Sequence, residues 1–382
     1  MAITVNSSLK RQAVVADSLV ALKRILSPLK AFSRAHNNVP LLGTNKIAVP
    51  YISLETAAST NWNSANGYVA GDATVGAKEI TVDKRKYQSL GNDSETNSRQ
   101  PYVMTDELIQ QKLEKLCYDV LADVMSVITA TNYGLFTVTA GVAATDVSTS
   151  VGHLLTTGDR VDIISITGGA GLAANDVRYA IRVDDDTFKL ATTAANAVAG
   201  TAVDFTTAIT AGVFSAAAYT GAATGFNVAG IGKLKKSAVD NNWPESNRSI
   251  VLNSSYDQYA MGDSGVLIAQ NYGSNDAIRE GRVPRVLGFD YYGGQYVPAN
   301  SQSLGGFICL PSAILFGCAP IAPTPAVRSL LSAYEQFTIP ELDIVITYRE
   351  FANAQMDTDQ TIVECSYGYT VGEPAALKRI AA

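Results

Sequence analysis

Residues 47 to 131 constrain this chain most, because they read as a long strand pair running directly into a long amphipathic helix. The first arm is Ile47-Ala48-Val49-Pro50-Tyr51-Ile52-Ser53-Leu54, and the far arm is Glu79-Ile80-Thr81-Val82-Asp83-Lys84-Arg85-Lys86-Tyr87. Between them lies Thr60-Asn61-Trp62-Asn63-Ser64-Ala65-Asn66-Gly67, too polar to form a core. An isolated two-stranded ribbon is marginal in water, and an unpaired edge invites another chain. A ribbon of this length belongs to a protein finished by its neighbours, which points to assembly more than to catalysis.

The helix follows an irregular Asn/Ser/Glu stretch closed by Pro101. Thr105 is placed to cap it, and Asp106 and Glu107 sit in the first turn, where the helix dipole favours acids. Ile109, Leu113, Leu116, Val120, Leu121, Val124 and Ile128 recur at spacings of three and four, the strongest helical signal in the chain. A helix over 105–132 is expected; at 1.5 Å per residue its regular part would run about 39 Å, a spine for a flat molecule.

A chain of 382 residues has room for two or three domains and a substantial core. Apolar residues make up 47%, charged residues only 17%, and the mean hydropathy is +0.09. That excess apolar surface is buried either between subunits or in a large core. The net charge of −6 argues against a general nucleic-acid binder, but the charge is unevenly placed. Up to residue 46, Lys10, Arg11, Lys23, Arg24, Lys30, Arg34 and Lys46 face Asp17 alone, a net +6; the remaining 22 basic and 34 acidic residues give −12. Such an arm either touches nucleic acid or an acidic partner, or is an ordinary solvated helix. Cys117, Cys309, Cys318 and Cys365 are scattered without a CxxC pair, which fits buried free thiols and neither a disulfide framework nor a zinc site. The start has no charged segment followed by an apolar run, so no signal peptide is expected. The least polar stretch, Gly305 to Pro323, holds three prolines and is expected to be a buried helix with flanking strands, not a membrane span.

Residues 8 to 35 read as one or two helices, broken at Pro28. The composition shifts at Tyr133-Gly134. From 135 to 222 the chain is rich in Ala, Thr, Gly and Val, lacks proline, and shows short alternating runs separated by turns at Gly158-Asp159, Gly168-Gly169 and Asp184-Asp185-Asp186. This is a small all-β module. An α/β pattern resumes after Gly225. Val228, Ile231, Leu234 and Val239 mark a helix, Arg248–Asn253 a strand, Ser254 the cap of a short helix through Tyr259, and Arg285–Asp290 a further strand. Leu342–Arg349 and Gln360–Tyr369 read as long paired strands. The β module thus interrupts an α/β body.

No catalytic constellation emerges. Gly262-Asp263-Ser264-Gly265 spells a protease nucleophile motif, but a triad needs a histidine beside Ser264, and only His36 and His153 exist. Gly230-Ile231-Gly232-Lys233 fails the phosphate-loop pattern, with Asn227 at the first glycine position and Leu234 after the lysine. Asp184-Asp185-Asp186 reads as an acidic hairpin turn before it reads as a cation site. Tyr291, Tyr292, Tyr296, Tyr367 and Tyr369 fall on strands without interleaved basic residues and are read as packing. No cofactor, metal or catalytic residue is expected.

The order of parts is similar to that of the tailed-bacteriophage major capsid protein family, the Hong Kong 97-type fold. Asn241-Asn242-Trp243-Pro244 leading to Leu252-Asn253 resembles that family's peripheral helix, loop and strand; Ala277-Ile278-Arg279-Glu280-Gly281-Arg282 through Asp290 its next element; and Tyr367 to Ile380 its closing strand. The stretch His153–Val161 with Val183–Leu190 resembles a compact β-barrel module found inserted in phage structural proteins. The resemblance implies an α+β capsid fold: an N-terminal arm (1–46), an extended β-hairpin loop (47–104), a spine helix (105–132), an inserted small β domain (133–222), a peripheral domain continued (223–296), an axial domain (297–360) and a closing strand region (361–382). It implies pentamers and hexamers of an icosahedral virion shell around double-stranded DNA, assembled in the host cytoplasm. Its partners are a portal, a separate scaffolding protein (the arm being too short to be a cleaved scaffold), and in some cases a decoration protein; no membrane is involved. Trp62, Lys78, Lys84, Arg85, Lys86, Arg279, Glu280 and Arg282 are the candidate inter-subunit contacts, and Lys10, Arg11, Lys23 and Arg24 the candidate scaffold- or DNA-facing residues. The alternatives are a decoration or tube subunit and, third, a serine hydrolase using Ser264.

Overall fold

The computed structural model describes residues 22–35, 45–52, 75–93, 105–263, 285–339, 342, 344–353 and 357–381. The chain divides into two compact units. One comprises Met1–Arg34, Met104–Ile314 and Glu373–Ala382, the other Ala35–Val103 and Leu315–Gly372. This division cuts across the boundaries expected from sequence. Of the expected 47–104 segment, 47–103 belongs with 315–372. The closing region 361–382 is split, because Thr358–Val371 pairs with Lys84–Asp93 whereas Leu377–Ala381 pairs with Leu304–Cys309.

In the first unit the spine helix is Thr105–Met125. Ile109, Leu113, Leu116, Cys117, Val120, Leu121, Val124 and Met125 are buried, while Gln111, Lys115 and Tyr118 face out. At 21 residues it is about 31 Å long. It stops earlier than the apolar spacing predicts. Val127 and Ile128 donate to carbonyls three residues back, which tightens the last turn. The Asn300 amide then donates to the Met125 and Ile128 carbonyls at 2.9 and 2.8 Å, and Gly134 turns the chain at φ +77°. Ile128 keeps its buried position without being helical.

The body of this unit is a six-stranded mixed sheet in the order Tyr219–Thr220, Leu377–Ala381, Leu304–Cys309, Ser249–Asn253, Phe289–Gln295, Arg285–Val286. Helices Val228–Asp240 and Ser254–Gly262 pack on it. Their Ile231, Leu234, Ala238, Tyr256 and Ala260 join Trp243, Ile250, Leu252, Phe289, Ile308 and Ile380 in one core. Gly305 is required here, because a Cβ would sit 2.1 Å from the Tyr256 ring. The short helix is capped by Asn253, whose Oδ1 accepts from the Tyr256 N–H at 3.0 Å, one residue before the expected Ser254. The expected strand Arg285–Asp290 is instead a tight hairpin, since Leu287 and Gly288 both take positive φ (49° and 94°).

Gly305–Pro323 holds no helix. It forms Leu304–Cys309 and Ile314–Cys318, every residue of both strands buried, broken by the turn at Pro311. Continuous apolar runs rich in Ile, Phe and Leu suit a strand covered on both faces. Among the described residues no helix is long and apolar enough to cross a membrane.

The strands of 135–216 close into a barrel. Ile209–Ala216 pairs with Arg160–Gly168 on one edge and with Leu135–Val138 and Ala140–Val142 on the other. Val147–Thr149, Thr187–Ala191 and Val177–Arg182 complete the ring. Closure removes the edges of the ring strands, and of this sheet only Leu135–Val138, paired with Ile209–Ala216 alone, lies outside the ring. Val138, Val161, Ile163, Phe188, Leu190, Phe205 and Phe214 fill the interior, with Phe136, Phe188 and Phe214 edge to face.

In the second unit, Lys46–Ile52 and Val75–Thr81 form an antiparallel hairpin with Ile47 opposite Ile80. The expected far arm is not one strand. It breaks at Val82-Asp83, and Lys84–Asp93 runs on along Thr358–Tyr367, whose edge it fills over ten residues. Thr358–Val371 also carries Ile344–Asn353 and Ile314–Cys318, and Ala333–Ile339 lies beyond.

Candidate assembly surfaces

The hairpin positions the first group of predicted contact residues. Ile47, Val49 and Ile80 pack with Leu315, while Ala48, Pro50 and Glu79 face out and Lys46 pairs with Glu79 at 2.5 Å. Lys78 is turned back onto its own unit, donating to the Val371 and Gly372 carbonyls. Lys84 donates to the Tyr369 hydroxyl and lies 4.2 Å from that ring's centroid. Arg85 and Arg349 share the buried Glu364 carboxylate, one on each oxygen at 2.5 and 2.6 Å. Lys86 is half-buried opposite Cys365. Lys84, Arg85 and Lys86 are thus brought onto one strand of the larger sheet and Lys78 onto the separate hairpin, in contacts within the chain. The strand's outermost apolar side chain is Tyr87, 60% exposed.

A second exposed surface was not singled out from sequence. Residues 320–330 are almost wholly exposed and include Ile321, Val327 and Leu330, the last 76% accessible. Only a missing alternation between Pro320 and Pro325 could have signalled it. Of the basic arm, Lys23 is half-buried and Arg24 exposed on a helical turn whose Leu22, Ile25 and Leu26 are buried. Trp62, Arg279, Glu280, Arg282, Lys10, Arg11, His36 and Ser264 lie outside the described residues.

The remaining motifs have structural duties. Asp263 accepts from the Val228 N–H at 2.9 Å, tying one helix end to the start of another. Gly230–Lys233 is the first turn of a helix capped by Asn227. Asp184 Oδ1 accepts from the Asp186 and Thr187 N–H groups, which holds its carboxyl below the usual range, and so closes a hairpin turn. Tyr367 is buried against Phe316 and Tyr369. Tyr291 donates to Asp257 at 2.7 Å, and burial pushes its phenol up. Tyr296 lies just past its strand and is 64% exposed, unlike the packing role expected for it.

The charged centre that sequence reasoning missed is Arg379, fully buried. Its Nη2 donates to Asp162 Oδ2 at 2.9 Å and Ser215 Oγ at 2.7 Å, and its Nη1 to Gln302 Oε1 at 2.7 Å. Asp162 also holds Arg160 at 3.0 Å. The network binds the barrel to the closing strand of the body sheet.

No protein-family description matches the chain, and no curated protein does. Solved structures do. The capsid of cyanophage P-SCSP1u aligns over 92% of this chain and 86% of that one, with a TM-score of 0.51 at 12% identity. This is a phage capsid fold. The asymmetric unit of the bacteriophage PhiM1 mature capsid also aligns, over 92% and 86% (TM-score 0.49, 11% identity), as does the capsid of a native GTA particle, over 94% and 91% (TM-score 0.44, 11% identity). The capsid fold here carries its exposed apolar segment and its basic strand on the same unit, and its barrel on the other.

Proposed function

We propose that this chain is the major capsid protein of a tailed double-stranded DNA bacteriophage. Copies build the pentamers and hexamers of an icosahedral shell, in the Hong Kong 97-type arrangement with the barrel as an inserted domain. The observation that carries the reading is the capsid likeness over nine-tenths of the chain. The role is structural, not catalytic, and its place is the virion, after assembly in the host cytoplasm. Two physical features support it. The hairpin Lys46–Ile52 with Val75–Thr81 is a two-stranded sheet, the kind that gains stability from a neighbour. Covering the exposed Leu330 would contribute up to roughly 1.5–3 kcal/mol, and covering Ile321 and Val327, already about half-buried, correspondingly less. Obligate interfaces of about 2,000–5,000 Å² are built from such surfaces.

In this reading Trp62, Lys78, Lys84, Arg85, Lys86, Arg279, Glu280 and Arg282 orient neighbouring subunits. The basic arm with Lys10, Arg11, Lys23 and Arg24 faces a separate scaffolding protein or the packaged genome. A portal and, in some shells, a decoration protein complete the partners. The test is expression of the chain, alone and with candidate scaffolding proteins, followed by negative-stain microscopy. Closed uniform shells are expected; rods, sheets or a persistent monomer would overturn the reading. Shortening residues 60–76 to a tight turn should leave the subunit folded but prevent closure.

A further inference from the structure

Two of the four cysteines meet. Cys318 ends the strand Ile314–Cys318, and Cys365 lies in Thr358–Val371, the neighbouring strand of the same sheet. Both are buried thiols, and their Sγ atoms are 4.0 Å apart. The strands are held together at this point. The Ala319 N–H donates to the Ser366 carbonyl at 3.2 Å, and the Phe316 and Tyr367 rings stack with centroids 6.0 Å apart. Neighbouring strands lie about 4.8 Å apart, within the roughly 4.4–6.8 Å between Cα atoms that a disulfide spans. The sulfurs therefore reach a bond length of about 2.05 Å by side-chain rotation and small backbone adjustment. The other two thiols are placed differently. Cys117 is buried on the spine helix, and Cys309 sits on a strand of the first unit, where its thiol donates to the Ala31 carbonyl at 3.3 Å.

Reactivity divides the same way, because the thiolate is the nucleophile. Burial pushes Cys117 up to about 12 and raises Cys309, whereas the hydrogen bond from Cys365 holds Cys318 below its usual range. We propose that Cys318 and Cys365 are a latent disulfide, open in the reduced subunit and closed by a hydroperoxide oxidant. The Cys318 thiolate attacks hydrogen peroxide; an S–O bond forms, the O–O bond breaks, and one water leaves. The Cys365 sulfur then displaces the sulfenic oxygen as a second water, forming the S–S bond. Two thiols give up two electrons and two protons, and one peroxide becomes two waters. Peroxide is close to water in size, and Cys318 lies two residues before the exposed segment 320–330, so local opening of that segment is the route in. The bond joins residues 47 apart, near where the chain enters the second unit at Leu315 and leaves it at Gly372. It closes most of that stretch, exposed segment included, into one loop. The timing rests on the shell reading: a reducing cell interior keeps the thiols open, and release into an oxidising medium closes them. The chemistry does not depend on that reading.

The test uses the full-length unassembled chain, reduced, exposed to hydrogen peroxide at pH 8, unfolded in N-ethylmaleimide and weighed by mass spectrometry. Of the four cysteines, all should be alkylated before oxidation and two after it. Fragmentation should map an intramolecular crosslink to Cys318 and Cys365, and dithiothreitol should remove it. Closing a loop of this length should raise the urea midpoint of the oxidised chain by about 1 M. Cys318→Ala and Cys365→Ala should each keep all their remaining thiols after peroxide, while Cys117→Ala should still lose two. The proposal is overturned if the wild-type chain keeps every thiol at a peroxide dose that fully converts glutathione. A crosslink that includes Cys117 or Cys309, a bond between two chains, thiol loss without any crosslink, or a lowered midpoint overturns it equally. Each of these is read on the wild-type chain, so none depends on a variant's folding.

Discussion

Replacing Arg379 by methionine should destabilise the first unit by about 3 kcal/mol. Breaking a buried ion pair from one side costs roughly 3–5 kcal/mol, because the remaining charge is left uncompensated. The surroundings of Arg379 place the loss at the lower end. Asp162 keeps Arg160 at 3.0 Å, Ser215 still donates to the Tyr133 carbonyl at 2.7 Å, and Gln302 Oε1 still accepts from the Ala130 N–H at 2.9 Å. Methionine fills most of the vacated space, so no large cavity term is added. Asp162→Asn should cost more than Arg379→Met, since it leaves Arg160 and Arg379 sharing one site with no carboxylate between them. Urea unfolding of the unassembled subunit reads both. With m of about 3 kcal/mol/M, Arg379→Met lowers the midpoint by about 1 M. Hydrogen exchange should locate the loss in Arg160–Gly168 and Leu377–Ala381, the two strands the network joins. A loss below about 1 kcal/mol, or Asp162→Asn milder than Arg379→Met, would refute the view that this network fastens barrel to body.

In the second unit, Glu364→Gln removes the carboxylate shared by Arg85 and Arg349. It should cost about 2 kcal/mol, less than a fully buried pair because Arg85 is half in solvent, as read by the unfolding midpoint. Leu330→Asp changes an exposed side chain and should leave subunit stability within about 0.5 kcal/mol while abolishing capsomers in sedimentation velocity; intact capsomers would remove this segment from the proposed interface. All four thiols are buried; burial pushes Cys117 up to about 12 and raises Cys309, while the contact with Cys365 pulls Cys318 down, so inaccessibility is the shared barrier and Ellman's reagent at pH 8 should titrate none of them until the chain is unfolded.

Which of these features the sequence discloses follows from the range of the interactions that make them. The spine helix, the helix Val228–Asp240 and the barrel strands are legible because their apolar spacing is local and each buries one face. Local signals also set the errors. In Glu79–Tyr87 only Asp83, a residue disfavoured in strands, marks the break, and nothing nearby announces that the chain pairs onward with a strand nearly 300 residues later. Leu304–Cys309 and Ile314–Cys318 are covered on both faces, so they lack the alternation that separates strand from helix.

The closing strand shows the limit most sharply. In Leu377-Lys378-Arg379-Ile380, period-two geometry says that Lys378 and Arg379 point to opposite faces, but not which face is core, since each cation has an apolar neighbour. Arg379 goes inward only because Asp162, 217 residues away, is waiting on a barrel strand. Once it does, Lys378 must share the opposite face with Ile380, where the nearby Asp159 and Asp240 are already taken by Lys233 and Lys236. The buried ion pair and the unpaired cation are therefore one consequence of a single register. A shift of that strand by one residue would exchange the two lysine and arginine environments and leave Asp162 facing an ammonium that cannot also reach Ser215 and Gln302 in the planar fork that Arg379 provides.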